Sequence, residues 1–172
     1  MRSSDRILLG AALAVAALAA DQLLKSWAHA WVAQHGDINL FAGLDIIATS
    51  NNGVAFSLAQ GFAPGFLITV GVALSMLFGV WLIRTQSVVH AAGLGLAIGG
   101  ALGNVIDRLR FGSVRDFIDL YWGTHHWPAF NLADAAVVTG LAILLILPER
   151  ASEGYRGPRR GGGRGTGSGG RS

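Results

Sequence analysis

Between Ile46 and Ile83 the chain carries no formal charge, and between Thr85 and Ile106 only His90 can acquire one. A soluble domain does not need such deserts. A bilayer core does, because an ionised side chain at its centre is costly. Over the whole chain of 172 residues, 52% are hydrophobic and 13% charged, where soluble domains carry about 25% charged. The length suits one domain.

Apolar stretches occupy residues 7–29, 62–83, 88–106 and 130–147. A helical span needs ~20 residues. The second and third stretches fit directly, and the fourth is short. The first has a pure apolar run only to Ala20, then meets Asp21 and Lys25. Arg2, Arg6 and Ala17-Leu18-Ala19 also fit a cleavable secretory signal. Helical sequence runs on past that point, however, and Trp27 and Trp31 suit an interfacial anchor. An all-α membrane bundle of four spans is therefore expected.

Lys and Arg in short flanks orient such a bundle. Arg2 and Arg6 precede the first span, Arg84 lies in the turn between the second and third, and six Arg follow the fourth. All fall on one side, which puts both termini in the cytoplasm. The outer segment 108–130 breaks the rule with Arg108, Arg110 and Arg115. Arginine on that side suggests a local task, such as pairing with a carboxylate.

The net charge of +3 says little about the core. Residues 1–148 hold seven basic and eight acidic groups, while residues 149–172 hold six Arg and two Glu. Residues 149–172 read as a Gly- and Arg-rich disordered tail. Cysteine is absent, which excludes disulfides, thiolate metal sites and cysteine nucleophiles. In the first outer loop, β-prone runs flank Asn51-Asn52-Gly53, the pattern of a hairpin. Gly95, Gly99 and Gly103 recur at four-residue spacing, a face that lets another helix approach.

The chemistry-bearing residues gather where the third apolar stretch ends and the fourth begins. Asn104 and Asp107 are three apart, as are Asn131 and Asp134, so each pair shares a helical face. Asp116 lies between them in the loop. Plainer roles exist for each. Asn131 and Asp134 suit a helix N-terminus. Asp107 could pair with Arg108 at the interface, and Asp116 could be a solvated loop charge. Asp21 could mark a helix end, and His125-His126 reads as wet loop rather than metal site. No His-Glu-x-x-His occurs, and Lys25-Ser26 diverge on a helix. Two close carboxylates sharing one proton can activate water and protonate a leaving amine. Residue type and spacing leave Asp107 and Asp116 equally open as partner to Asp134.

Across residues 7–147 the chain resembles the lipoprotein signal peptidases, or signal peptidase II. The likeness is carried by Asp21-Gln22-x-x-Lys25, Asn51-x-Gly53-x-Ala55-Phe56, Gly99-Gly100-Ala101-x-Gly103-Asn104-x-x-Asp107-Arg108, Gly112-x-Val114-x-Asp116-Phe117-Ile118 and Phe130-Asn131-x-Ala133-Asp134. The resemblance implies a four-helix membrane bundle with a small extracytoplasmic β-structure. It implies an aspartic endopeptidase of the bacterial cytoplasmic membrane, with its site near the outer face. Its substrates would be diacylglyceryl-modified prolipoproteins, cut before the lipidated Cys. By position Asp116 and Asp134 match the catalytic pair. Asn51, Asn104, Asp107, Arg108 and Asn131 match residues lining the site, with Asp21, Lys25, Gly53 and Gly103 in support.

No metal and no cofactor are expected, because the carboxylate cluster lacks nearby His or Cys and its chemistry is proton transfer. Membrane lipids and the lipid-modified substrate are the expected partners, with no nucleic acid, and a monomer is expected. Residues 1–148 would form the peptidase domain. The sequence departs from the family at Ser50, where Arg is frequent, and in the short Gly-rich segment Ser57–Gly65. Two rivals remain: a small transporter, which needs charges through the membrane depth, and a structural subunit, which would leave Asp116 replaceable.

Overall fold

The structure is a computed structural model and describes residues 2–51 and 64–147. Gly53, the Asn52-Gly53 turn, the run Val54–Leu58, residues 57–63 of the short segment and the basic tail lie outside the described residues. Among the described residues four helices carry the fold: α1 (Ser3–His35), α2 (Pro64–Arg84), α3 (Val88–Phe111) and α4 (Leu132–Ile146). A small antiparallel sheet lies between them in sequence, with β1 (Ile38–Phe41), β2 (Leu44–Asn51), β3 (Val114–Trp122) and β4 (His125–His126) paired in that order. α1, α2 and α3 are long and apolar enough to cross a membrane; α4 is apolar but shorter, at 15 residues.

The helices depart from the sequence reading in instructive ways. α1 runs to His35, six residues past the expected end, and stops at Gly36 with φ 82°. Asp21 therefore sits within the helix rather than marking its end. Asp21 and Lys25 are fully buried against α3 and neutralise each other, so they do not interrupt the helix. α3 likewise continues to Phe111, where Gly112 takes a left-handed φ of 75° and closes the helix. Only a residue without Cβ adopts that conformation cheaply.

α3 is the central helix, packed against α1, α2 and α4. Its Gly95 and Gly99 lie where any side chain would strike the α1 backbone at Gly10 and Ala14. Gly103 faces the Asp21 carboxylate, which a Cβ would meet at 2.7 Å. The predicted glycine face is thus the α1–α3 seam. A second face, Gly93 and Gly100 with Gly140 of α4, brings α4 equally close.

At one end of the bundle the Arg6 guanidinium donates to Gln86 in the α2–α3 turn at 3.0 Å. The sheet caps the other end. Its contact with the helices is a small core of Ala28, Ile46 and Phe117, flanked by Val32, Ile38, Ile118 and Leu132. Much of segment 108–130, expected as a loop, is the strand β3, paired with β2 from Leu44↔Leu120 to Asn51↔Val114. β2 also pairs with β1, through a turn at Gly43, whose φ is 101°.

Candidate active site

The site is built where α3 ends, α4 begins and β3 passes between them. Asn131 is the N-cap of α4, and its side-chain oxygen accepts from the Asp134 N–H at 3.0 Å. The Asp134 Oδ2 in turn accepts from the Asn131 N–H at 3.4 Å. This capping box satisfies two of the free donors that open any helix. The capping role and a chemical role are compatible, because Oδ1 of Asp134 points elsewhere and accepts from Asn104 Nδ2 at 2.7 Å.

Asp116 lies on β3, not in a loop, and is 1% exposed. Two backbone ladders hold it. β2 pairs Thr49 with Asp116, and on the other side Phe130 exchanges hydrogen bonds with Ile118 and accepts from Phe117. Phe130 immediately precedes the α4 cap. One clamp therefore fixes the strand bearing Asp116 and the helix bearing Asp134. The His29 ring adds a contact to the Asp116 backbone carbonyl at 3.1 Å.

One asparagine joins the two carboxylates. Asn131 Nδ2 donates to Asp116 Oδ1 at 2.6 Å, while its oxygen holds the Asp134 N–H. Burial pushes the Asp116 carboxyl up to about 6; the Asn131 hydrogen bond opposes this, the Asp134 charge adds to it, and a bond from Asn51 opposes it again. A buried carboxylate beside another is costly to ionise.

Asp107 is occupied differently. Its Oδ1 accepts from Gln22 at 3.1 Å and from Arg115 Nη2 at 3.0 Å. Its Oδ2 accepts from the Arg115 backbone N–H at 3.0 Å and Nε at 3.4 Å, and faces Lys25 Nζ at 3.3 Å. Lys25 also meets Asp21 at 2.8 Å and Asn104 Oδ1 at 3.0 Å. Asp21 in turn accepts from the Ala133 N–H at 2.9 Å, in the first turn of α4. This network locks α1, α3, β3 and α4 together.

Sequence reasoning gathered Asn104, Asp107, Asp116, Asn131 and Asp134, and the structure brings these together with Asn51, Asp21, Lys25 and Gly103. Arg108 donates to the Asn104 carbonyl at 3.3 Å. Gln22 and Arg115 were missed as site residues. Arg115 had a signal, since arginine on the sheet side of the bundle called for a nearby carboxylate; that carboxylate is Asp107. Arg115 also stacks on Phe111 at 4.3 Å. His126 is exposed and meets Asp119 at 2.8 Å. Among the described residues no group of three or more His, Asp or Glu could hold a metal.

A cavity of about 560 Å³ opens beside Asp134. Its polar lining is Asn51, Asn104, Arg108 and Asp134; the rest is apolar or aromatic, including Leu120, Trp127 and Phe130. Such a cavity accepts an extended apolar ligand and presents it to a few polar groups.

A family model described as signal peptidase (SPase) II matches residues 13–148. The lipoprotein signal peptidase of Anaplasma phagocytophilum is 40% identical over 136 residues, 77% of this chain and 86% of that one. The lipoprotein signal peptidase of Shewanella amazonensis is 40% identical over 138 residues, 77% and 82% of the two chains. A solved structure described as a bacterial membrane enzyme superposes with a TM-score of 0.69 at 26% identity, covering 80% of this chain and 85% of that one. Fold and relatives define the class as a membrane-embedded protease. The chain belongs to the signal peptidase II family.

Proposed function

We propose that this chain cleaves diacylglyceryl-modified prolipoproteins before the lipidated Cys, with Asp116 and Asp134 as its catalytic pair. The observation that carries the assignment is the Asn131 side chain, which holds Asp116 Oδ1 at 2.6 Å and the Asp134 N–H at 3.0 Å. Asp107 is the poorer candidate because both its oxygens are committed to Lys25, Gln22 and Arg115. Cationic partners on a carboxylate oppose proton uptake, whereas Asp116 accepts from the neutral amides of Asn131 and Asn51.

Below about pH 6 the resting enzyme holds the shared proton on Asp116, and Asp134 is ionised, supported by the α4 N-terminus. Asp134 takes a proton from water as its oxygen attacks the scissile carbonyl, and Asp116 gives its proton to the carbonyl oxygen. The tetrahedral diol then collapses. Asp134 passes its proton to the leaving nitrogen, Asp116 recovers one from a diol hydroxyl, and the C–N bond breaks. The pair ends as it began. Only macroscopic titration values belong to such a pair.

This sets a pH dependence. Asp116 must be protonated to act, and its carboxyl is raised from 3.8 to about 6. In the free enzyme that proton is lost as pH rises through about 6, so kcat/KM for a lipidated prolipoprotein peptide should fall on the alkaline side. Folding stability follows the same sign. The stabilisation from this proton is complete below 3.8 and lost as pH rises through about 6. A kcat/KM that stays level from pH 5 to 9 would contradict the assignment.

α4 completes a four-span bundle in this reading. Its 15 residues extend about 22 Å, short of the ~30 Å hydrocarbon core. A short α4 leaves room for its N-terminal turn, with Asp134, to sit below the outer surface, where a lipid-bound substrate can reach it without leaving the bilayer. Both termini are cytoplasmic, the active site is near the outer face of the bacterial cytoplasmic membrane, and residues 1–148 are the working unit. The chain has no Cys, so introduced thiols report cleanly. In intact cells, His125→Cys should react with an impermeant thiol reagent and Arg84→Cys should not. Reversed labelling would invert the orientation.

A further inference from the structure

Among the described residues Lys25 makes three polar contacts, and only two are with opposite charges. Its third, at 3.0 Å, is to the neutral Oδ1 of Asn104. An ammonium has donors only, so the amide atom facing it must be the oxygen. That turns the Asn104 Nδ2 toward Asp134, which accepts at 2.7 Å. Asn131 Nδ2 also donates to Asn104 Oδ1, at 3.3 Å, beside its bond to Asp116. The Asn104 amide therefore has its orientation fixed by a fully buried lysine, while the Asp134 N–H orients Asn131.

We propose that Lys25 is a positioning residue that sets the direction of the Asn104 amide, so that Asn104 donates to Asp134 and the shared proton resides on Asp116. A salt bridge serving stability alone needs only Asp21 and Asp107, at 2.8 and 3.3 Å. With the ammonium gone, only the 3.3 Å bond from Asn131 Nδ2 still holds the Asn104 oxygen, and the amide can turn to present that oxygen to Asp134. Asp134 can then bind the proton, and the pair rests in the wrong protonation state. The charged and titratable groups around the pair are Asp21, Lys25 and His29 of α1, Asp107 and Arg108 of α3, Arg115 of β3 and the two carboxylates themselves. Among these, Lys25 donates to the Asn104 amide oxygen, and Arg108 donates to the Asn104 backbone carbonyl.

The inference rests on the Asp116/Asp134 assignment, and the test separates the two. Asp21→Asn/Lys25→Met removes one charge of each sign and keeps the buried cluster balanced. Per folded molecule, its kcat on a lipidated prolipoprotein peptide should fall on the order of 10²-fold, the scale of a mispositioned reacting group. KM should stay near that of Asp21→Asn alone. Adding Asn104→Ser should cause no further loss, because both changes disrupt one relay. Multiplied losses, an effect on KM alone, or turnover equal to Asp21→Asn would each overturn the proposal.

A second variant leaves Lys25 in place. Asn104→Asp keeps the shape and the lysine contact but removes the donor to Asp134. Its activity should be low at neutral pH and recover toward acid, as the new carboxyl gains a proton to donate. Wild-type turnover at neutral pH would overturn the relay even if the double variant failed to insert. If Asp116→Asn or Asp134→Asn kept full turnover, the catalytic assignment itself would fall, whatever Lys25 does.

Discussion

Asp116→Asn and Asp134→Asn should each lower turnover by well over ~10²-fold, the lower end for loss of one positioned acid–base group. The geometry makes the pair unusually intolerant of the change. Asn131 Nδ2 donates to Asp116 Oδ1, and an asparagine at 116 can meet it with its own oxygen, so the fold should survive while the proton carrier is lost. At 134 the same change leaves one oxygen, which can accept from Asn104 or from the Asn131 N–H but not from both, so one hydrogen bond is lost along with the proton exchange. Asp107→Asn should behave oppositely. It leaves Lys25 and Arg115 facing a weaker partner, which costs stability, but it removes no exchanging proton. Its loss per folded molecule should be smaller, with a clear fall in folded yield. Near-wild-type turnover in Asp116→Asn together with an inactive Asp107→Asn would exchange the two roles.

The largest effect on folding is expected at Gly99. Any Cβ there meets the Ala14 carbonyl of α1, so Gly99→Leu must push α1 away from α3. Overpacking of a well-filled seam costs about 1–3 kcal/mol or more. Here the displacement also separates Asp21 and Lys25 from Asp107 and Asn104, and an uncompensated buried charge adds about 3–5 kcal/mol. Gly79→Leu is the matched control, since nothing lies within 4 Å of its added Cβ. Thermal unfolding in one detergent should show the first variant collapsed or much less stable, and the second close to wild type. Equal melting of the two would mean that the seam is not closely packed.

The helices were legible because their signals are local. Charge deserts mark the membrane-facing stretches, and the spacing of Gly95, Gly99 and Gly103 marks the α1 seam. Asn104/Asp107 and Asn131/Asp134 were legible for the same reason, since i,i+3 spacing places each pair on one face. The length of α1 was not, because Asp21 and Lys25 look like the end of an apolar run. Only their burial against α3 lets the helix continue through them. β3 was missed because Val114-Arg115-Asp116-Phe117-Ile118-Asp119-Leu120 shows no clean alternation of polar and apolar residues. Its main partner, β2, lies some 70 residues earlier in the chain, a pairing no local window contains. The choice between Asp107 and Asp116 was equally out of reach. In the proposed reading it turns on the donors each carboxylate holds, which for Asp107 come from α1 and β3 and for Asp116 from the α4 cap and β2.

The central claim is met most directly by one measurement. A synthetic prolipoprotein peptide, with and without a diacylglyceryl group on its Cys, is incubated with the purified chain, and the products are weighed by mass spectrometry. The account predicts a single cut in the lipidated peptide, leaving the lipid-bearing Cys as the new N-terminus, and little or none in the unmodified peptide. An intact lipidated peptide, a cut at another bond, or equal cleavage of both forms would contradict it.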